Sequence, residues 1–381
     1  MVPSAGTPVT VPDILSSAVS SSDLQECMKR MLGVRHAFTV NSGTTAFFMI
    51  LRALKSLSDK NEIILPAYTA PSLTLPIKKA GLHYRLVDIS PDTFNMDTEL
   101  TAAAVSDRTL AILCVNMFGI PVEIDSIRIP EDTHVIEDAA SSFGTRKGGR
   151  LSGVFGDTGF ISLNRGKNLS AVTGGIIVTD NDRLANLIGD EIGGLPHRQF
   201  PERAKIFLKA IALSYAVRPW CYTLLKRAIS RFKYTTVHED FESFRHTRFQ
   251  GALGCVLLKR AEEIFHGREE KGRFLHDAFS NVRGIRRPSM PDGWRVVFNQ
   301  FPIIVEDAKK RPSVLDAINS TGLEATMLYD KPIHKIYGNG KESHPHAEYM
   351  ADRLVLIPVH HYVKTAMLYR AVEAVKKAVR S

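Results

Sequence analysis

Cysteine is scarce and scattered: Cys27, Cys114, Cys221 and Cys255 stand far apart in 381 residues, with no CxxC and no Cys/His pair at ligand spacing. Such usage argues against a zinc site and a disulfide framework, and it fits a reducing cytoplasm. No uncharged apolar run approaches the roughly 20 residues that a membrane-crossing helix needs. The first residues, Met1-Val-Pro-Ser-Ala-Gly-Thr-Pro8, lack the basic start and apolar core of a secretory signal. Secretion and a transmembrane anchor are therefore not expected. Acidic residues are nearly missing from 196–233, where nine basic residues (Arg198, Arg203, Lys205, Lys209, Arg218, Lys226, Arg227, Arg231, Lys233) face only Glu202. That segment, at +8 (nine minus one), carries almost all of the chain's net +9.

What is present is enough for a large two-lobed protein, since 44% of the residues are hydrophobic and can supply a sizeable core. From residue 35 to 180, short apolar runs alternate with longer mixed ones. Strands are expected at His36 to Val40, Glu62 to Pro66, His83 to Asp88, Leu110 to Val115, His134 to Glu137, Thr158 to Leu163 and Gly175 to Thr179. This rhythm predicts an α/β fold with a mainly parallel sheet between helices. Ligands gather at the carboxyl ends of such strands, where Asn41, Pro66, Asp88, Asp138 and Lys167 fall. After about residue 240 the pattern changes. A helix over Phe249 to Phe265, a strand over Arg295 to Val305 and a terminal helix from Lys364 predict a smaller α/β domain, 241–381, after a large one, 1–240.

Three pieces of the first part carry chemistry. Asn41-Ser-Gly-Thr-Thr-Ala46 is a small-residue turn entering a helix, whose free N–H groups suit a phosphate, although Ser and Thr are also ordinary N-caps. Val135-Ile-Glu-Asp138 ends a buried strand on an acid that needs a cationic partner, unless it is merely a surface cap. Lys167, in Ser162-Leu-Asn-Arg-Gly-Lys-Asn168 before Gly174-Gly175, becomes a nucleophile if water is excluded from it; otherwise it is an ordinary solvated lysine. Together, a lysine able to form an imine and an acid able to keep a pyridine nitrogen protonated point to pyridoxal 5'-phosphate. No metal site is indicated.

In order and spacing these pieces resemble the DegT/StrS family of sugar aminotransferases. The likeness continues in Glu62-Ile-Ile-Leu-Pro-Ala-Tyr-Thr69, Gly148-Gly-Arg-Leu-Ser-Gly-Val-Phe-Gly-Asp157, Phe244-Arg-His-Thr-Arg-Phe-Gln-Gly-Ala-Leu-Gly254 and Leu354-Val-Leu-Ile-Pro358. The resemblance implies a type I aminotransferase-like fold, Lys167 as the Schiff-base lysine, Asp138 as the pyridinium partner, and Gly43, Thr44 and Ser162 as phosphate contacts. It also implies transfer of an amino group, commonly from glutamate, to a keto group on a nucleotide-linked or carrier-linked sugar, by a homodimer. Lys167 argues against the family's dehydratases, which carry histidine there. Several positions depart from the family pattern. Ser141 replaces the amide that contacts the cofactor's phenolic oxygen. Ala70 replaces the aromatic that covers the ring, with Tyr68 as the candidate substitute. Ser243 replaces an asparagine that reaches a neighbouring subunit's phosphate. These departures leave a second reading, a degenerate member acting as a non-catalytic regulatory or membrane-associated binding protein.

The basic stretch is longer and more apolar than the family's usual connection at that point, and Pro219 divides it into two short helices. Its leucines, isoleucines, Phe207, Trp220 and Tyr222 interleaved with lysine and arginine suit an anionic membrane surface. A helical pair packed on the body or on a dimer partner has the same composition. Nucleic acid is not expected, because no reader motif accompanies the charge.

Overall fold

The computed structural model describes residues 1–6, 9–229, 239–338 and 342–380; Arg231 and Lys233 of the basic stretch lie outside them. A seven-stranded sheet runs in the order His36–Val40, Gly175–Thr179, Thr158–Ser162, His134–Asp138, Thr109–Val115, Glu62–Pro66, His83–Val87. Every neighbouring pair is parallel except the two made by Gly175–Thr179, which runs against both its neighbours. All seven expected strands are found with ends within a residue of those expected, and the central ones, Thr109–Val115 and Glu62–Pro66, are buried along their whole length. Continuous Val/Ile/Leu runs of this kind belong to strands covered on both faces.

Helix Gly43–Lys55 packs on the sheet beside the antiparallel strand. Ser42 caps it, its hydroxyl accepting the N–H of Thr45 at 3.1 Å. Phe47, Met49, Ile50, Leu51 and Leu54 are buried beneath it, each contributing about 1.5–3 kcal/mol of transfer free energy. Phe47 stacks on Phe160 of the sheet at 5.5 Å. The start of this helix is thus fixed against the carboxyl ends of the strands.

A second, three-stranded sheet joins Ile285–Arg286, Gln300–Val305 and Leu354–Pro358. We propose to keep the domain boundary at residue 240, because every strand of the large sheet precedes it and every strand of this one follows it. The expected strand over Arg295 to Val305 is two. Trp294–Arg295 pairs with Arg146–Lys147, and between the two Val297 turns its N–H to the Thr145 hydroxyl at 2.8 Å. The expected helix over Phe249 to Phe265 also breaks, into Arg248–Leu258 and Ala261–Ala278. Arg260 at the joint leaves helical geometry, and its guanidinium reaches Asp13 at 2.6 Å. Periodicity carries on through such a joint, so it hid the break.

The cysteine reading needs correction. Cys27 and Cys255 form a disulfide, Cα atoms 6.2 Å apart, that ties helix Leu24–Leu32 to helix Arg248–Leu258. A separation of 228 residues gives no local signature of such a pairing. Asp88 turns out to dock the small domain, accepting the N–H groups of His346 at 3.0 Å and Ala347 at 2.9 Å at the start of helix Pro345–Arg353.

Gly175 is where the antiparallel strand passes under the turn that starts helix Gly43–Lys55; a Cβ there would run into the Ser42 carbonyl and the Gly43 nitrogen. Gly175→Ala should lower the unfolding free energy by about 2 kcal/mol, the usual scale of overpacking, read as a lower urea midpoint with unchanged slope. An unchanged midpoint would mean that this contact is slack.

Candidate functional site

Asp138 ends its strand almost wholly buried, 5% exposed. Its Oδ1 accepts the Ala140 N–H at 2.8 Å. Burial pushes its pKa from 3.8 up to about 6, against the pull of the nearby Lys167 cation and the Ala140 hydrogen bond; the neighbouring Glu137 adds to the rise. Lys167 sits on the loop after strand Thr158–Ser162, where Gly166 takes a left-handed φ of 86° and the Lys167 N–H returns to the Asn164 carbonyl at 3.2 Å. Its stem is partly accessible, but its amine points inward and donates to the Ser141 hydroxyl at 3.1 Å. Loss of hydration there lowers the amine's pKa, with Asp138 opposing. Lys167, Asp138 and Ser141 are therefore brought together.

Gly43, Thr44 and Ser162 form a second corner. Gly43 and Thr44 are the first two helical residues, so their N–H groups have no intrahelical partner. A Cβ on Gly43 would lie 3.1 Å from Ser162 Cβ and 3.4 Å from its hydroxyl. The glycine thus leaves a small cradle floored by Ser162. Asp138 and Ser162 share one face of the sheet, since Asp138 lies opposite Phe160, two residues before Ser162. Strand rise and spacing put their Cα atoms about 8 Å apart, a span that a pyridine ring with a phosphate arm fills.

Tyr68 takes another position. Its ring is fully buried, edge-on to Tyr329 at 5.9 Å, and its hydroxyl donates to the Tyr329 carbonyl at 3.1 Å. Tyr329, from the small domain, in turn lies close enough to the Asp138 carboxylate for that charge to add to the rise that burial causes in its phenol pKa. Nothing in the local sequence marks Tyr329, which reaches the site only through the docking of two domains. Ser243 lies beside the phosphate turn of its own chain, its hydroxyl 3.5 Å from that of Thr45, while Asn41 binds the Glu242 carbonyl (2.9 Å) and the Phe244 N–H (3.0 Å). Glu137 was also missed as part of the support. It accepts from Asn116 at 2.8 Å, Ser152 at 3.1 Å and the Phe155 N–H at 2.8 Å, a buried network under the floor.

An aldehyde cofactor with an anionic tail would find in these two corners a lysine amine, a carboxylate within reach of a ring nitrogen and free N–H groups suited to a phosphate. The architecture is of that class: the chain superposes on the sugar aminotransferase CalS13 from Micromonospora echinospora with a TM-score of 0.79, over 99% of this chain and 100% of that one at 21% identity, which establishes a type I-like fold. The chain belongs to the DegT/DnrJ/EryC1/StrS aminotransferase family, which it matches over residues 14–376. It is 25% identical to the spore coat polysaccharide biosynthesis protein SpsC of Bacillus subtilis, covering 96% of this chain and 91% of that protein. It is 24% identical to the UDP-N-acetyl-3-dehydro-alpha-D-glucosamine 3-aminotransferase of Acidithiobacillus ferrooxidans, covering 91% and 85%. The protein is a pyridoxal phosphate-dependent transaminase of the sugar aminotransferase family.

Because the fold raises the Asp138 pKa above 3.8, it disfavours the charged form. The cofactor-free protein therefore lacks this stability at neutral pH and gains it as pH falls through about 6 toward 3.8. The elevation corresponds to at most about 3 kcal/mol. Cofactor-free Asp138→Asn should accordingly melt higher than wild type at pH 7.5, with the gap closing by pH 4. A gap that is absent at pH 7.5, or that widens in acid, contradicts this account.

Proposed function

We propose that the enzyme moves an amino group from glutamate to a keto group on a nucleotide-linked or carrier-linked sugar. The observation that carries this reading is the Lys167 amine, lowered in pKa by burial and held on Ser141 beside the buried Asp138. Bound pyridoxal phosphate supplies an electron sink for a carbanion next to nitrogen. Asp138 would hold the cationic ring nitrogen, and Gly43, Thr44 and Ser162 would hold the phosphate. Lys167 would be the base that takes the α-proton of the amino donor and returns it on the other side of the transfer, a role that needs an amine partly deprotonated near neutral pH. Ser141 orients that amine. Tyr68 would act from behind, holding the backbone of Tyr329, whose phenol senses the Asp138 charge, rather than as a cover for the ring.

This support weighs against the non-catalytic alternative, because a binding protein has no need of a desolvated lysine beside a buried carboxylate. We also propose a homodimer, about twice 42.3 kDa, working in the cytoplasm with a peripheral seat on the inner membrane surface. Wild-type protein loaded with cofactor should be yellow and bleach on addition of glutamate, releasing 2-oxoglutarate. Lys167→Ala should leave the cofactor removable by dialysis after borohydride treatment and lower the half-reaction rate by about 10³-fold or more. Wild-type protein that stays colourless with added cofactor overturns the catalytic reading. A yellow protein that bleaches with other amino acids but not with glutamate overturns the donor alone.

A further inference from the structure

Exposed large apolar side chains are concentrated in one region. Of the eleven among the described residues, six (Phe200, Leu208, Tyr215, Trp220, Leu224, Leu225) lie on helices Phe200–Ala216 and Pro219–Ile229, and two more (Leu15, Val19) on helix Val11–Val19, which packs against the first of these. Trp220 is 61% exposed and Leu224 77%. The buried stripe of helix Phe200–Ala216, at Ile206, Ala210 and Ser214, rests on the body. Nearly opposite runs an exposed stripe at i, i+4, i+7, i+11 and i+14: Pro201, Lys205, Leu208, Ala212 and Tyr215. Lys209 flanks it, also exposed. The sole acid, Glu202, faces Arg198 at 3.9 Å.

We infer that this face seats the enzyme on an anionic phospholipid bilayer. Apolar side chains with cations at their margins are what an interfacial helix needs, the first entering the acyl boundary and the second meeting lipid phosphates. No helix among the described residues is long and apolar enough to cross a membrane, so the pair lies on the surface. Charge separates this occupant from a second copy of the chain. A two-fold contact through the same face would set a surface carrying Lys205 and Lys209 against an equally cationic one, whereas an anionic surface complements it. The seat also adjoins the site. The Tyr222 hydroxyl donates to Glu324 Oε1 at 2.7 Å and the Ser4 N–H to Glu324 Oε2 at 2.8 Å, and the next residue, Ala5, would be 3.3 Å from a Cβ on Gly166 in the lysine loop. This inference gives a residue-level form to the peripheral seat proposed above, and it does not depend on the transamination.

Cosedimentation of the cofactor-loaded full chain with phosphatidylcholine vesicles, with and without 30% phosphatidylglycerol, tests it. Binding should be at least tenfold stronger to the anionic vesicles and fall on raising the salt. Trp220→Ser with Leu224→Ser, and separately Lys205→Glu with Lys209→Glu, should each reduce it at least tenfold. Both variants should still be yellow and bleach with glutamate at the wild-type rate, which shows that they are folded and keeps this test apart from that of the catalytic reading. Failure of wild type to bind anionic vesicles overturns the inference, as does equal binding by the variants. Conversion of the dimer to monomer by either pair of substitutions also overturns it, since the face would then be a contact between copies.

Discussion

Burial pushes an amine and a carboxylate toward their neutral forms while each pulls the other toward charge, and the site is built around that tension. Burial alone would drive Asp138 toward its neutral acid and Lys167 toward its neutral amine; each ion pulls the other back toward charge. The outcome is a carboxylate titrating near 6 and a lysine that gives up its proton more readily than one in water. Neither residue could be tuned this way on an exposed loop. The sheet supplies the dry environment: Asp138 closes a strand flanked on both sides, and the Glu137 network fills the space beneath it with paired polar atoms.

Ser141 shows how a change in one residue can keep the arrangement while altering its chemistry. Where the resemblance implies an amide, the shorter Ser141 hydroxyl accepts from the Lys167 amine. A hydroxyl both donates and accepts, so it can serve the amine in either protonation state. The cover over the ring is a different matter. Ala70 offers a methyl group, and Tyr68 is committed to the Tyr329 backbone at both its carbonyl and its N–H. The aromatic mass near Asp138 therefore comes from the small domain, and the site depends on how the two domains dock.

The sequence made the large sheet legible because its strands are short, apolar and regularly spaced, as in Thr109–Val115 and Glu62–Pro66, where burial on both faces leaves an uninterrupted run. Lys167, Asp138, Gly43 and Ser162 were legible for a related reason: each stands at the end of such a strand or at the start of the helix that follows. What was not legible depends on long-range contact. Tyr329 gains its meaning 191 residues after Asp138, and Cys27 meets Cys255 across 228 residues. The joint at Arg260 escaped because a helical period says nothing of where the axis turns; a buried partner, Asp13, decided it. Asp88 fell at a strand end, as a ligand residue would, yet its oxygens cap a helix of the small domain.

The phosphate corner is secured from a direction the strands do not provide. Asn41 spends its amide and its carbonyl on the 242–244 segment, and Thr45, which lies a single turn along the helix, approaches Ser243. The turn is thus clamped between Gly175 below and the opening of the small domain above, with its two N–H groups left over for an anion. A turn held by its neighbours on both sides cannot relax to satisfy those donors internally, and an unsatisfied pair at a helix start is a standing attraction for a dianion. Glycine at position 43 keeps that corner open: a Cβ there would lie 3.1 Å from Ser162 Cβ and 3.4 Å from its hydroxyl, in the space a phosphate would take.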